Sequence, residues 1–400
     1  MARIFLDVTN TVRSISTTPN GIDRVERAFI RALLQAPNEW DVAYVCRNTF
    51  GFMKISKSRV EHFLNRFSSS EINVHSKNIE FQRIKQKLLS IGPFIRLEDA
   101  DIYLECDAIR HLGRWPYFKS VRKKNNFHHV SFCHDLIPVK FPHWVKSNEY
   151  VERFRSGILV ATAADTVICN SENTKNDFLE FCHQTKILPP KLTIIPLGCD
   201  TIHQTERPSQ YQLPCKRFVL CVGSITDRKN HALLLNIWSE FSNNSKMGEI
   251  GLVIAGSKGN GADKIIERIK LDPRLQKSVI HIESPTDNEL SWLYGNCLFS
   301  VYPSRYEGWG LPVTESLGYG KICITANTSS LPEAGEGFTI MLDPLDHQNW
   351  KETIINLVKN NELRLSLELK IKRAYIPRNW SMVSEDLRTL LSNIMLTLNK

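Results

Sequence analysis

Short apolar runs of strand length recur along this chain in two series, and the runs alternate with loops and segments of helical period. Ile4–Val8, Val42–Cys46, Ile102–Leu104, His129–Cys133, Thr166–Cys169 and Leu192–Ile195 form the first series. Phe218–Val222, Gly251–Ala255, Val279–Ile282, Leu298–Tyr302 and Ile322–Thr325 form the second. Between the first two runs, Val25, Phe29, Ala32 and Leu33 recur at the spacing of one helix face. This alternation predicts an α/β chain with parallel sheets, because a parallel strand pair needs a crossover that a helix supplies.

The two series are separated by Gly198–Pro214, a polar stretch with no apolar period, which reads as a linker. Domains are therefore expected at 1–198 and 215–379. The last helical segment, Met382–Leu396 within 380–400, lies beyond the needs of the second sheet and is expected to pack back on the first domain. The basic, Ser-rich stretch Asn48–Arg96 reads as helices around an irregular loop. Two doubly wound domains joined by a linker are expected to face each other across a cleft.

Hydrophobic residues make up 42% of the 400 residues, enough for a core in each domain. The net charge of +9 favours nucleic acid, anionic lipid or a phosphorylated small molecule as partner, although solubility alone would also account for it. Lys and Arg are dispersed without a nucleic-acid motif, so no nucleic-acid partner is expected. The ten cysteines stand singly, with no Cys-x-x-Cys pair, and read as buried small hydrophobes of a reducing compartment. The N-terminal segment reads as a strand rather than a signal peptide, and no apolar run approaches the ~20 residues of a spanning helix. A cytoplasmic protein is expected, with binding to a membrane surface left open.

Four segments carry candidate chemistry. In Tyr302–Lys321 a strand ends, a Gly-rich turn follows, and a helix begins with Pro312 in its first turn. Backbone N–H groups at Gly308, Trp309, Gly310 and Leu311 would face anionic oxygens. Glu307 and Glu315 flank that turn, and each carboxylate can accept hydrogen bonds from two adjacent sugar hydroxyls. Separately, Glu315 would do no more than complement the helix dipole and Glu307 would be solvated; together around the turn they point to a site. In Val222–His231, Gly223 ends a strand, and Arg228 and Lys229 place two cations where an α/β sheet binds ligands. In Cys133–Pro138, His134 ends another strand, and Asp135 is equally well explained as a turn cap. In Pro19–Arg24, Gly21 would allow close approach of a ligand to the backbone or simply make a turn.

The stretch from Tyr302 to Lys321 resembles the Glu-x7-Glu signature of retaining GT-B glycosyltransferases, in particular glycosyltransferase family 4. The likeness runs from Ile4 to about Trp380, is strongest from Leu192 to Asp346, and is poor from Asn48 to Arg96. It implies a GT-B fold of two Rossmann-like domains. The first would lie on the acceptor side and the second would bind the nucleotide-sugar donor.

By that resemblance Glu315 holds the nucleotide ribose, Glu307 contacts the donor sugar, Arg228 and Lys229 bind the diphosphate, and His134 lies beside the sugar. Gly21 and Gly223 approach the donor phosphates. Ser224 stands where some branches carry an Arg, so the phosphate clamp rests on Arg228 and Lys229. The implied reaction is hexosyl transfer with retention, by front-face attack in which donor phosphate helps deprotonate the acceptor hydroxyl.

The Asp-x-Asp motif of metal-dependent transferases is absent, and His128, His129, His134 and His143 lack the cues of a metal site. No metal and no cofactor beyond the nucleotide-sugar co-substrate is implied. GDP-mannose or a rhamnose donor is the expected co-substrate. A glycan or an undecaprenyl-diphosphate-linked acceptor is expected, in bacterial surface polysaccharide synthesis. Epimerisation or phosphorolysis on the same fold, and more remotely a non-enzymatic anionic-surface or nucleic-acid binder, are the competing readings. For the membrane, Arg110–Lys124 mixes cations with Trp115, Tyr117 and Phe118, either as an interfacial segment or as a basic helix whose aromatic residues face the core.

Overall fold

The computed structural model describes residues 2–13, 21–48, 50–66, 92–106, 116–145, 147–201, 213, 215–242 and 247–398. The chain divides into two compact units. One comprises Met1–Lys140, Ser147–Leu197 and Trp380–Lys400; the other comprises Phe141–Lys146 and Gly198–Asn379.

The N-terminal unit holds an eight-stranded sheet. Its strands are β1 (Arg3–Asp7), β2 (Asp41–Asn48), β3 (Gly51–Ile55), β4 (Phe94–Ile95), β5 (Ile102–Glu105), β6 (His128–Cys133), β7 (Thr166–Cys169) and β8 (Lys191–Ile194). Their order is β4-β3-β2-β1-β5-β6-β7-β8, with β3 antiparallel to both of its neighbours and every other pair parallel. The strand order therefore switches direction between β1 and β5, the place where doubly wound sheets open a crevice at their carboxyl ends.

The stretch read as helices around a loop is different in fact. Gly51–Ile55 doubles back on β2 as a hairpin, Phe94–Ile95 adds a short edge strand, and only Lys57–Arg66 within the described part is helical. Gly51–Ile55 is buried except at the exposed Lys54, so this short strand has no alternation that a sequence reading could pick up. Residues 67–91 lie outside the described ones.

Phe5, Val45, Phe52, Tyr103, Phe118 and Phe127 share one core cluster on a face of this sheet. On the helix Gly21–Leu34, Val25, Ala28, Phe29, Ala32 and Leu33 are buried, and the Phe29 ring meets Phe132 edge-on at 5.6 Å. The final helix, Trp380–Leu398, packs against that helix. Val383, Leu387, Leu391 and Ile394 are buried, and Ser384 Oγ donates to the Ala28 carbonyl at 3.3 Å. Each such aliphatic side chain contributes about 1.5–3 kcal/mol on burial, so this amphipathic face is held by packing rather than by helix propensity.

The C-terminal unit holds a parallel sheet of β9 (Arg217–Val222), β10 (Ile250–Ala255), β11 (Val279–Ile282), β12 (Ser300–Tyr302), β13 (Cys323–Ala326) and β14 (Ile340–Leu342). Its order, β11-β10-β9-β12-β13-β14, switches direction between β9 and β12. Strand β14 and the helix Asn361–Ala374 are absent from the sequence reading. The strand has three residues, too few for a period, whereas the helix carries a legible cap, Asn360, whose side chain accepts from Leu363 N at 2.9 Å. All ten cysteines are free, and all but Cys215 are buried. Burial pushes the thiols of Cys169, Cys221, Cys297 and Cys323 up to about 12, so they behave as small hydrophobes. Among the described residues no helix is long and apolar enough to cross a membrane.

Candidate active site

The two loops that leave β9 and β12 meet at the switch point of the C-terminal sheet. Asp227–Lys229 forms a single helical turn, and Asn230, at φ +59°, ends it and starts the helix His231–Phe241. The loops are tied by backbone: Arg305 N donates to Arg228 O at 2.8 Å, and Arg228 Nη1 donates to Tyr306 O at 2.8 Å.

Glu307 sits between the two cations. Its Oε2 lies 2.5 Å from Arg228 Nη1 and its Oε1 lies 2.5 Å from Lys229 Nζ. Ser304 Oγ donates to the same Oε1 at 2.6 Å and Tyr302 Oη at 3.0 Å, while Lys229 Nζ also contacts Tyr302 Oη. Burial alone would push the Glu307 carboxyl up; Arg228 and Lys229 together overcome it and hold the group down at about 2. Burial lowers Lys229 to about 8, with Glu307 working against that shift. At neutral pH the cluster is thus one carboxylate between two cations and carries one surplus positive charge.

Glycines shape the approach to this charge. Gly223 has φ +146°, and a Cβ there would lie 3.7 Å from Lys229 Nζ, so any larger side chain would cover the ammonium. The segment 256–261, which fits no dinucleotide fingerprint, is what supports the loop. A Cβ at Gly256 would fall 2.2 Å from Gly223 O, and one at Gly261 would fall 2.3 Å from Asp227 Oδ1. Sequence reading missed this supporting role because it depends on a neighbour in space.

After β12 the helix Leu311–Gly318 is capped at Gly310, with Pro312 in its first turn as read from the sequence. Pro312 fits there because no backbone donor is required. Pro312 carries no N–H and Val313 N donates to Gly310 O at 2.9 Å, which leaves Leu311 N as the first-turn donor without an intrahelical acceptor. Ser330 Oγ fixes the turn by donating to Glu307 O at 3.0 Å and to Trp309 O at 2.6 Å, and Glu307 N donates to Ser329 Oγ at 2.9 Å. Glu315, buried on this helix, accepts from Tyr294 Oη at 2.9 Å, and burial pushes the Tyr294 hydroxyl well up. Tyr294 itself stacks on Tyr319 with ring centres 5.2 Å apart. Ser304, Tyr302, Tyr294, Ser329 and Ser330 are thus partners of the site that no motif singles out.

Gly223, Arg228, Lys229, Glu307, Gly308, Trp309, Gly310, Leu311 and Glu315 therefore belong to one edge of one sheet. His134 and Gly21 belong to the other unit. His134 follows β6, its ring tilted on Phe132 at 4.5 Å, with Nε2 2.6 Å from the Cys106 carbonyl. A carbonyl only accepts, so Nε2 carries the proton. Asp135 Oδ1 accepts from Ile137 N at 3.0 Å, the turn-capping geometry weighed above. Gly21 opens its helix, and Pro19 and Asn20 lie outside the described residues. Among the described residues no group of three or more His, Cys, Asp or Glu side chains could hold a metal ion.

The N-terminal switch point carries its own buried charges. Asp7, at the end of β1, lies 2.5 Å from Arg47 Nε and accepts from Tyr103 Oη at 2.6 Å. Glu105, at the end of β5, accepts from Ser131 Oγ and lies 3.7 Å from His129 Nε2.

The described side chains of the segment read as a candidate membrane contact divide between core and surface. Phe118 is buried in the core, which removes it from any interface, and Arg122 pairs with Asp165 at 2.6 Å. Lys123 and Lys124 are exposed. Arg110, Arg114 and Trp115 lie outside the described residues, as do the side chains of Tyr117 and Lys119.

Residues 204–373, which fall within the C-terminal unit, match the family described as glycosyl transferases group 1. The serotype-specific mannosyltransferase WbdA of Escherichia coli is 27% identical over 198 residues, 46% of this chain and 24% of that protein. The O-antigen chain mannosyltransferase B of Escherichia coli is 26% identical over 163 residues, 39% of this chain and 42% of that protein. The chain thus covers well under half the length of these curated relatives. The sucrose-phosphate synthase of Thermosynechococcus elongatus superimposes with a TM-score of 0.66 at 18% identity, covering 99% of this chain and 100% of that one. A likeness at this identity speaks for the fold, and the fold is GT-B.

Proposed function

We propose that this chain, whose residues 204–373 match the glycosyl transferases group 1, transfers a hexose from a nucleotide-sugar donor with retention at the anomeric carbon. The observation that carries this reading is the pairing of Arg228 and Lys229 around Glu307 at the β9–β12 switch point. One carboxylate leaves the pair a surplus positive charge. A donor diphosphate brings the balancing negative charge, and more of it accumulates there as the sugar leaves. Gly223 keeps Lys229 approachable, and the N-terminal turn of Leu311–Gly318 supplies a backbone donor, Leu311 N. Glu307 positions both cations from behind and, in this reading, also meets the donor sugar. Glu315 takes the ribose hydroxyls, with Tyr294 fixing its rotamer.

The acceptor hydroxyl is deprotonated with help from the donor phosphate, so no strongly basic side chain is required. His134, with Nε2 committed to Cys106 O, serves sugar binding rather than proton transfer in this proposal. The N-terminal unit takes the acceptor, a glycan or an undecaprenyl-diphosphate-linked oligosaccharide, at the cytoplasmic side of a membrane. Mannose from GDP-mannose is the favoured donor, with rhamnose second; the mannosyltransferases among the relatives support that choice.

A panel of nucleotide sugars tests this directly, read by thermal stabilisation, donor hydrolysis and NMR of the isolated product. An α-linked donor is expected to yield an α-linked product, with GDP-mannose the strongest stabiliser. A β-linked product from an α donor would overturn retention, and stabilisation by no nucleotide sugar would overturn the assignment itself.

A further inference from the structure

We propose that a cavity at the amino-terminal edge of the N-terminal sheet binds an anionic saccharide, a hexose-sized ring carrying a phosphate or a carboxylate. The cavity has a volume of 330 Å³. That is the low end of the ~300–1,000 Å³ of small-molecule sites, room for one or two sugar rings. It lies where the helix Gly21–Leu34 ends, beside the start of β2 and the end of β3, which are neighbours because the two strands run antiparallel. From Val42, which lines it, to Arg47 at the carboxyl edge is five residues of extended chain, about 16 Å. The cavity is therefore separate from the switch point of its own sheet.

Its lining divides into three chemical parts. Leu33, Val42 and Ile55 are apolar. Trp40 and Tyr44 offer aromatic rings, Tyr44 buried and Trp40 half-buried. Lys54 and Lys57 are exposed at the rim, and no carboxylate is among the lining residues. Lys57 Nζ lies 3.3 Å from the carbonyl of Leu34, the last residue of the helix, which holds the ammonium at the cavity.

Aromatic side chains combine a broad apolar face with a polar tip, which suits the C–H face of a pyranose and its hydroxyls. Two ammonium groups at the rim favour an anion, against a neighbouring carboxylate, Glu61, which acts on the Tyr44 hydroxyl from outside the lining. A neutral sugar would leave both cations unused, and an apolar peptide would have to desolvate them without a partner.

The inference does not depend on turnover, so its failure leaves the proposed reaction standing. The test is isothermal titration of the protein with glucose-6-phosphate, glucuronate, glucose and inorganic phosphate. GDP and UDP are kept in excess, so that the Lys229 site is occupied. Glucose-6-phosphate and glucuronate are expected to bind, with glucose and inorganic phosphate at least about tenfold weaker. The double variant Lys54→Gln, Lys57→Gln should lose about tenfold in affinity for the anionic sugars, and Trp40→Ala should lose affinity for the sugars more than for phosphate. Both lysines are exposed, so the double variant should keep its Tm and its nucleotide affinity.

Absence of binding up to about 10 mM, or equal affinity in wild type and the lysine variant, overturns the site. Inorganic phosphate binding as tightly as the sugar phosphate overturns the saccharide part. Glucose binding equally well overturns the requirement for charge.

Discussion

Both sheets place buried charge at the switch point of their strand order, but they compensate it differently. At the C-terminal switch point two cations share one carboxylate, with Lys229 and Glu307 both more than nine-tenths buried. At the N-terminal switch point Asp7 is paired with Arg47 and hydrogen-bonded by Tyr103, while Glu105 adds a second carboxylate beside His129. The first arrangement lacks a negative charge and is suited to an anion. The second has no surplus cation among these residues, since Arg47 is matched by Asp7 and Glu105 stands beside His129. The same α/β architecture therefore offers two chemically distinct edges, and the difference comes from a few side chains at equivalent places.

The largest effect should come from removing the shared carboxylate. Glu307→Ala leaves two largely buried cations without their common partner, and urea unfolding should show a loss of about 3–5 kcal/mol. Added GDP should restore more stability to this variant than to wild type, since a diphosphate substitutes for the missing charge. Asp7→Ala should also destabilise, but its nucleotide affinity should equal that of wild type. If Asp7→Ala weakens nucleotide binding as much as Lys229→Ala does, the two edges are not chemically separate.

A pH titration sharpens the contrast. Lys229 is lowered to about 8 in the free protein, and a bound diphosphate raises it again by attraction. The ligand thus favours the protonated form. Affinity for GDP should be flat below about pH 8 and fall as much as tenfold per pH unit above it, with proton uptake on binding. Calorimetry in buffers of different ionisation enthalpy reads that uptake. Proton release, or an affinity independent of pH up to about 9.5, would contradict the role given to Lys229.

A smaller effect is expected at the surface of the N-terminal unit. Lys123 and Lys124, exposed beside the paired Arg122, should together contribute at most about 2 kcal/mol to attraction by anionic vesicles. Equal sedimentation of wild type and Lys123→Ala, Lys124→Ala would leave this helix without a membrane role.

The smallest effect should follow from Tyr294→Phe, which removes one hydrogen bond to Glu315 and keeps the ring stacked on Tyr319. A loss of about 0.5–1.5 kcal/mol in nucleotide affinity is expected. A loss as large as that of Glu315→Ala would mean that the hydroxyl itself meets the ligand.

Much of the C-terminal edge was legible because it is local. Gly223, Arg228, Lys229, Glu307 and Glu315 lie in two short segments that each leave a strand and enter a helix, so strand and helix periods alone put them at a carboxyl end. The hairpin Gly51–Ile55 and the edge strand β4 were not legible, because a five-residue strand buried on both faces has no alternation to read and a two-residue strand carries no period. The inward turn of Phe118 was undecidable for a related reason: a nine-residue helix with cations and aromatic rings on it is equally consistent with a core and an interface. Only the neighbours Tyr103 and Phe127 settle which face is buried.

The sequence by itself determined the α/β class, the two series of strands and the residues that can carry positive charge or accept sugar hydroxyls. These follow from periodicity and side-chain chemistry, which act over a few residues. The tertiary structure decided that Glu307 sits between Arg228 and Lys229, that Gly256 and Gly261 brace the loop carrying them, and that β9 and β12 are neighbours at a reversal of strand order. Those facts depend on segments between about thirty and eighty positions apart along the chain, and what brings such segments together is the burial of two sheet faces, which no local pattern encodes.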